Sequence, residues 1–80
     1  MNSEKIIINK TKEVMVKYPN KVLEYGQGKT ALLGLFVGDV MKNTHNMFDP
    51  NFVNKIVKEE LDKEIEKNIF WNSVMQHPTL

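Results

Sequence analysis

The chain contains no cysteine and no arginine, only one tryptophan, and no uncharged apolar run long enough to cross a bilayer. Without cysteine there is no disulfide framework and no thiolate metal site. Without arginine all eleven basic residues are lysines. Lysine neutralises a phosphate as a point charge but lacks the planar fork used for bidentate base recognition. Any nucleic-acid contact is therefore expected at the backbone rather than at the bases. The net charge of +1 is too small for a strong bulk electrostatic footprint. The uncharged stretch from Thr30 to Gly38 stops at Asp39, whereas a membrane span needs about 20 apolar residues. Ile6-Ile7-Ile8 is too short for a secretory signal, and the arginines of a transit peptide are missing. The expected location is a cytoplasm or an organellar matrix, with no secretion.

Eighty residues make one small domain. A chain of this size buries only about 60% of its unfolded surface, so helix packing or a partner must supply stability. The pattern is helical throughout. Ser3 is a candidate cap for a first helix over about Glu4 to Tyr18, with Ile7, Ile8, Val14, Met15 and Tyr18 on or beside one face. Lys5-Ile6-Ile7-Ile8 has strand propensity, but no second strand-like run exists to pair with it. Pro19 suits the start of a short second helix ending near Tyr25, and Gly26 or Gly28 is then a left-handed cap.

The central element is Lys29 to Asn43. Leu32, Leu33, Leu35, Phe36, Val37, Val40 and Met41 cover most of its circumference, the mark of a buried helix. Gly34 and Gly38 lie one turn apart, and each costs about 1 kcal/mol relative to alanine. Their presence predicts a closely packed neighbouring backbone. Asp49-Pro50 restarts the chain as cap and first helical residue. The last helix carries Phe52, Val53, Ile56, Val57, Leu61, Ile65 and Ile69 on its apolar stripe. Its wet face includes Lys55, Lys58, Asp62, Glu66, Lys67 and a Glu59–Lys63 pair. It outruns the bundle, and its far end bears Ile69, Phe70, Trp71, Val74 and Met75. These read as residues folding back over the core, as a helix end that frays, or as a partner-binding patch. The predicted fold is all-α: a small bundle of three long helices and one short one. Residues 1–18 form an N-terminal helix, 19–61 the core and 62–80 a C-terminal extension of one domain.

No catalytic apparatus is visible. Gly28-Lys29-Thr30 mimics the end of a P-loop, but the glycine required five residues earlier is Leu23, and no strand precedes it. Gly26, Gly28 and Ala31 mimic a dinucleotide fingerprint and fail on the same missing strand. His45 and His77 have no partners at metal-ligand spacing. No cofactor, metal or small-molecule substrate is expected. Lys29 and Lys42 bracket the central helix. Backbone N–H groups near Gly28-Lys29-Thr30 suit a phosphate, while Lys42 also complements the helix dipole.

The run Pro19-x-x-Val22-x-x-Tyr25-x-x-Gly28-Lys29, then Leu33-Gly34-x-Phe36-Val37-Gly38-x-Val40-Met41-Lys42-x-Thr44, then Pro50-x-x-Val53-Asn54 and Leu61, resembles the C-terminal tail of the GatB/YqeY family. That family includes GatB, a component of the aspartyl/glutamyl-tRNA amidotransferase. The resemblance implies an all-helical tail without catalysis of its own, which helps bind tRNA at the outer corner of the L. Carried over by position, Gly28, Lys29, Lys42 and Thr44 are candidate RNA contacts, and Gly34 and Gly38 are packing positions. Gly26 stands where the family often has a basic residue, and the connector His45-Asn46-Met47-Phe48 is less basic and more apolar than usual. Fewer phosphate contacts imply weaker, less salt-dependent binding. Two explanations follow: an excised tail that binds tRNA, or a free-standing structural subunit. The second would use its C-terminal helix to dock onto a larger hetero-complex, a mitochondrial one included.

Overall fold

The computed structural model describes the backbone of residues 2–76 and the side chains of residues 2–67. Asn2, not Ser3, caps the first helix: its Oδ1 accepts from the Glu4 N–H at 3.0 Å. Asparagine caps as well as serine, and the shift lets Ser3 serve as the first helical residue. Helix α1 spans Ser3–Lys17 and buries Ile7, Thr11 and Val14. This spacing of four and three is one helical face. Thr11 joins the core although its side chain is polar. Its hydroxyl donates to the Ile7 carbonyl at 2.7 Å, which satisfies the polar group and lets its methyl pack.

Tyr18 ends α1 because Pro19 follows it and disfavours helical backbone. Helix α2, Pro19–Gly26, then buries Val22 and Tyr25. Gly28, at φ +112°, takes the positive-φ turn that glycine alone adopts without strain. Gly26 stays helical. It is the one glycine at a close approach, since a Cβ built there would lie 3.3 Å from Ile65 Cγ1.

The central segment departs from the expectation of one helix over residues 29–43. Lys29 lies outside it, and a tight 3-10 turn, Thr30–Leu32, leads into α3, Leu33–Asn43. The cause is the Gly28 turn, across which Thr30 N donates to the Gly28 carbonyl at 2.9 Å. Nor is α3 buried all round. Phe36 and Val40 are buried and Leu33, Val37 and Met41 half-buried, but Leu35 is 41% exposed. Gly34 and Gly38 are exposed, and a Cβ at either would meet nothing within 4 Å. Their expected role as packing positions within this chain is thus corrected: they lie on the open face of α3.

Past α3, His45 and Asn46 both have positive φ, at 54° and 56°. Asn46 N donates back to the Met41 carbonyl at 2.9 Å, closing the helix end. Asp49 then opens α4, Pro50–Gln76, as expected: its Oδ1 accepts from Asn51 N at 2.8 Å. Replacing it removes that acceptor, so Asp49→Ala is expected to cost about 1 kcal/mol, read as a lower urea midpoint with unchanged slope.

Val53, Ile56, Val57 and Leu61 of α4 are buried, whereas Phe52 is 39% exposed. The Glu59–Lys63 pair expected on the wet face is replaced by Lys63 to Glu60 at 3.4 Å and Lys58 to Asp62 at 3.1 Å. Helix α4 packs against all three other helices, and α1 also packs on α3. Among the described residues there is no strand, and no helix is long and apolar enough to cross a membrane. The all-α fold of three longer helices and one short one is as the sequence predicts. The backbone of α4 continues without a break past Asn68. The side chains of Ile69, Phe70, Trp71, Val74 and Met75 lie outside the described residues.

Candidate nucleic-acid interface

Lys29 stands at the corner between α2 and α3. Its backbone N–H donates to the Glu24 carbonyl at 3.1 Å, which fixes the corner against the end of α2. Its side chain is 66% exposed, and its ammonium lies 3.1 Å from Glu24 Oε1. The other Glu24 oxygen, Oε2, lies 3.4 Å from Lys21 Nζ, one turn earlier on α2. One carboxylate is thus shared by two lysines. Together they hold its carboxyl below the ordinary carboxylate value, chiefly through the Lys29 hydrogen bond and then the Lys21 charge. Gly28, exposed, leaves the corner uncovered.

Lys42 lies in the last turn of α3. Gly34, Gly38 and Lys42 follow one another at four-residue spacing and share one face. All three are exposed, and Lys42 makes no ion pair with another described residue. At Gly34 and Gly38 no side chain lies within 4 Å of where a Cβ would stand, and Lys42 is about 12 Å from Gly34 along the axis at 1.5 Å per residue. Asp39, which would repel a phosphate, is withdrawn from this face. Its side chain is only 16% exposed, with Oδ2 3.6 Å from Lys17 Nζ of α1. That distance is a charge contact rather than a hydrogen bond, and the buried Oδ2 has no hydrogen-bond partner.

Thr44, expected among the RNA contacts, is 5% exposed. Its hydroxyl donates to the Val40 carbonyl at 2.8 Å, a bond that closes the end of α3. It is committed to the core and leaves the surface set. The structure thus places Gly28 and Lys29 at one corner and Lys42 in the last turn of α3, and it adds Lys21 and Glu24. Their link to Lys29 is not readable from spacing, because it depends on the Gly28 turn. Among the described residues no three His, Asp or Glu side chains gather as metal ligands would. A separate open groove of about 370 Å³ lies beside the α1–α2 junction, lined by Met15, Val16, Pro19 and Leu23 with Lys12 and Glu64.

Residues 1–61 match the family described as the GatB domain. Curated relatives are named as the B subunit of the aspartyl/glutamyl-tRNA(Asn/Gln) amidotransferase. The protein from Anaplasma marginale (strain Florida) is 39% identical over 64 residues, covering 80% of this chain and 13% of its own length. That from Pseudothermotoga lettingae is 41% identical over 61 residues, covering 76% of this chain and 13% of its own length. That from Helicobacter pylori (strain HPAG1) is 44% identical over 62 residues, covering 78% of this chain and 13% of its own length. The chain spans about one eighth of the length of these relatives. No solved structure matches it. The matched region, residues 1–61, takes in α1 through the buried Leu61 of α4, and this chain belongs to the GatB domain family.

Proposed function

We propose that this chain is a non-catalytic tRNA-binding tail module of the amidotransferase type, working wherever its tRNA is found, in a cytoplasm or an organellar matrix. The observation that supports this most is the uncovered Gly34–Gly38 face of α3, on which Lys42 follows one turn later. A ribose-phosphate chain can approach helix backbone closely where no side chain intervenes, and ammonium groups on that approach neutralise phosphates without reading bases. The chemistry of transamidation would reside elsewhere in a longer protein or its companion subunits.

Filter binding of tRNA to the folded chain at about 50 and 200 mM salt tests the reading. Two to three phosphate contacts predict roughly ten- to fortyfold weaker binding at the higher salt. Lys29→Glu combined with Lys42→Glu should flatten that dependence and remove most of the affinity. Binding that ignores this double reversal overturns the interface, and no binding at low salt overturns the function.

That second outcome would favour the structural-subunit reading. It draws support from α4, whose backbone remains helical from Ile65, the last half-buried core residue described, to Gln76. On this reading Ile69, Phe70, Trp71, Val74 and Met75 would meet a protein partner in a larger hetero-complex.

A further inference from the structure

We propose that Lys21 and Lys29 form a clamp for one RNA phosphodiester, and that the Glu24 carboxylate occupies this clamp as an internal anion which the phosphate displaces. The inference rests on the RNA-binding reading and deepens it.

The geometry is that of two cations on one small anion. Lys29 Nζ lies 3.1 Å from Oε1 and Lys21 Nζ 3.4 Å from Oε2 of the same carboxylate. A carboxylate offers two anionic oxygens joined through one carbon, and a phosphodiester offers two joined through one phosphorus. The same pair of ammonium groups suits both. Two further features hold the arrangement. Lys21 and Glu24 are one turn apart on α2, and the Gly28 turn returns Lys29 so that its own N–H donates to the Glu24 carbonyl. The backbone therefore brings both lysines within reach of one point.

Glu24 has two consequences. It screens the mutual repulsion of the lysines, so the clamp stays assembled when no RNA is bound. It also competes with the incoming phosphate. All three side chains meet solvent, at 45%, 30% and 66% exposure for Lys21, Glu24 and Lys29, so water screens the contacts and exchange is facile. A phosphate delivered at the clamp by a docked RNA can displace Glu24, whereas a diffuse negative surface gains less from these lysines. The internal anion thus lowers affinity and raises selectivity for a correctly placed backbone. Lys42, which makes no ion pair with another described residue, carries no such brake.

The test is tRNA binding by the full chain, followed by fluorescence anisotropy at about 50 mM salt, with circular dichroism confirming that each variant is folded. Glu24→Gln should tighten binding about two- to fivefold, the range expected for removing one exposed charge contact. The gain should vanish when Lys21→Gln and Lys29→Gln are both present. Glu13→Gln, which removes a carboxylate paired with Lys10 on α1, should change little. A Glu24→Gln gain that survives loss of both lysines, or is matched by Glu13→Gln, is a bulk charge effect and overturns the clamp. So does wild-type binding that Glu24→Gln leaves unchanged. Failure of the folded wild type to bind tRNA at all overturns the RNA reading itself.

Discussion

Phe36→Ala is expected to lower stability by about 3–5 kcal/mol. Phe36 is fully buried and is the largest fully buried side chain of the core. The core cluster around it is rich in Ile7, Val14, Val40, Val53, Ile56 and Val57. Those residues are β-branched and stiff at χ1, so they relax poorly into the space a phenyl ring leaves. A domain of this size has a total stability of roughly 4–12 kcal/mol, so the variant should lose at least about a quarter of it, read as a lower urea midpoint. Leu35→Ala, one residue away on the exposed side of α3, should cost under about 1 kcal/mol. Urea titration of the two variants together checks the orientation of the helix. Equal losses would mean that α3 is rotated from the arrangement described.

Gly34→Ala with Gly38→Ala should raise stability by about 2 kcal/mol, because alanine is favoured by about 1 kcal/mol per site through helix propensity alone. Each glycine lies inside α3, each is exposed, and a methyl group at either would meet nothing within 4 Å. A close-packing role would give the opposite sign, so the urea midpoint of the double variant separates the two. The same variant should bind tRNA more weakly than the wild type. Two methyl groups would stand between the helix backbone and an approaching ribose-phosphate chain. Higher stability with lower affinity is the pattern expected where a surface is kept suboptimal for folding because something docks on it.

Element boundaries set by local chemistry were legible. Pro19 divides α1 from α2, and Asp49-Pro50 starts α4, because proline geometry and side-chain capping act within a few residues. That Lys5-Ile6-Ile7-Ile8 is helical and not a strand followed from the lack of a second strand-like run to pair with it. What escaped was decided by neighbours distant in sequence. Gly26 is the glycine near a packing partner because Ile65 lies against it, a fact carried by no residue near position 26. Thr44 read as a candidate RNA contact and Thr11 was not read as core, yet both are buried with their hydroxyls returned to a carbonyl of their own helix. At the candidate interface, Lys29 and Lys42 were legible as cations bracketing a helix. The sharing of Glu24 was not, because it requires the Gly28 turn and the 3-10 segment after it. The placement of Thr44 is the reverse case, in which motif position suggested a contact that packing had already claimed.

The resemblance visible by eye starts at Pro19, yet Ile7, Thr11 and Val14 of α1 are buried to the same degree as Phe36 and Leu61. Helix α1 packs on both α3 and α4. The signature and the folding unit therefore have different edges: the former records which surface is presented, the latter what must travel with it. Recombination that transferred only the recognisable segment to a new host would move a surface without its support. The portable piece is α1 together with everything through the buried part of α4, and an apparently featureless leading helix is as much a condition of inheritance as the motif that follows it.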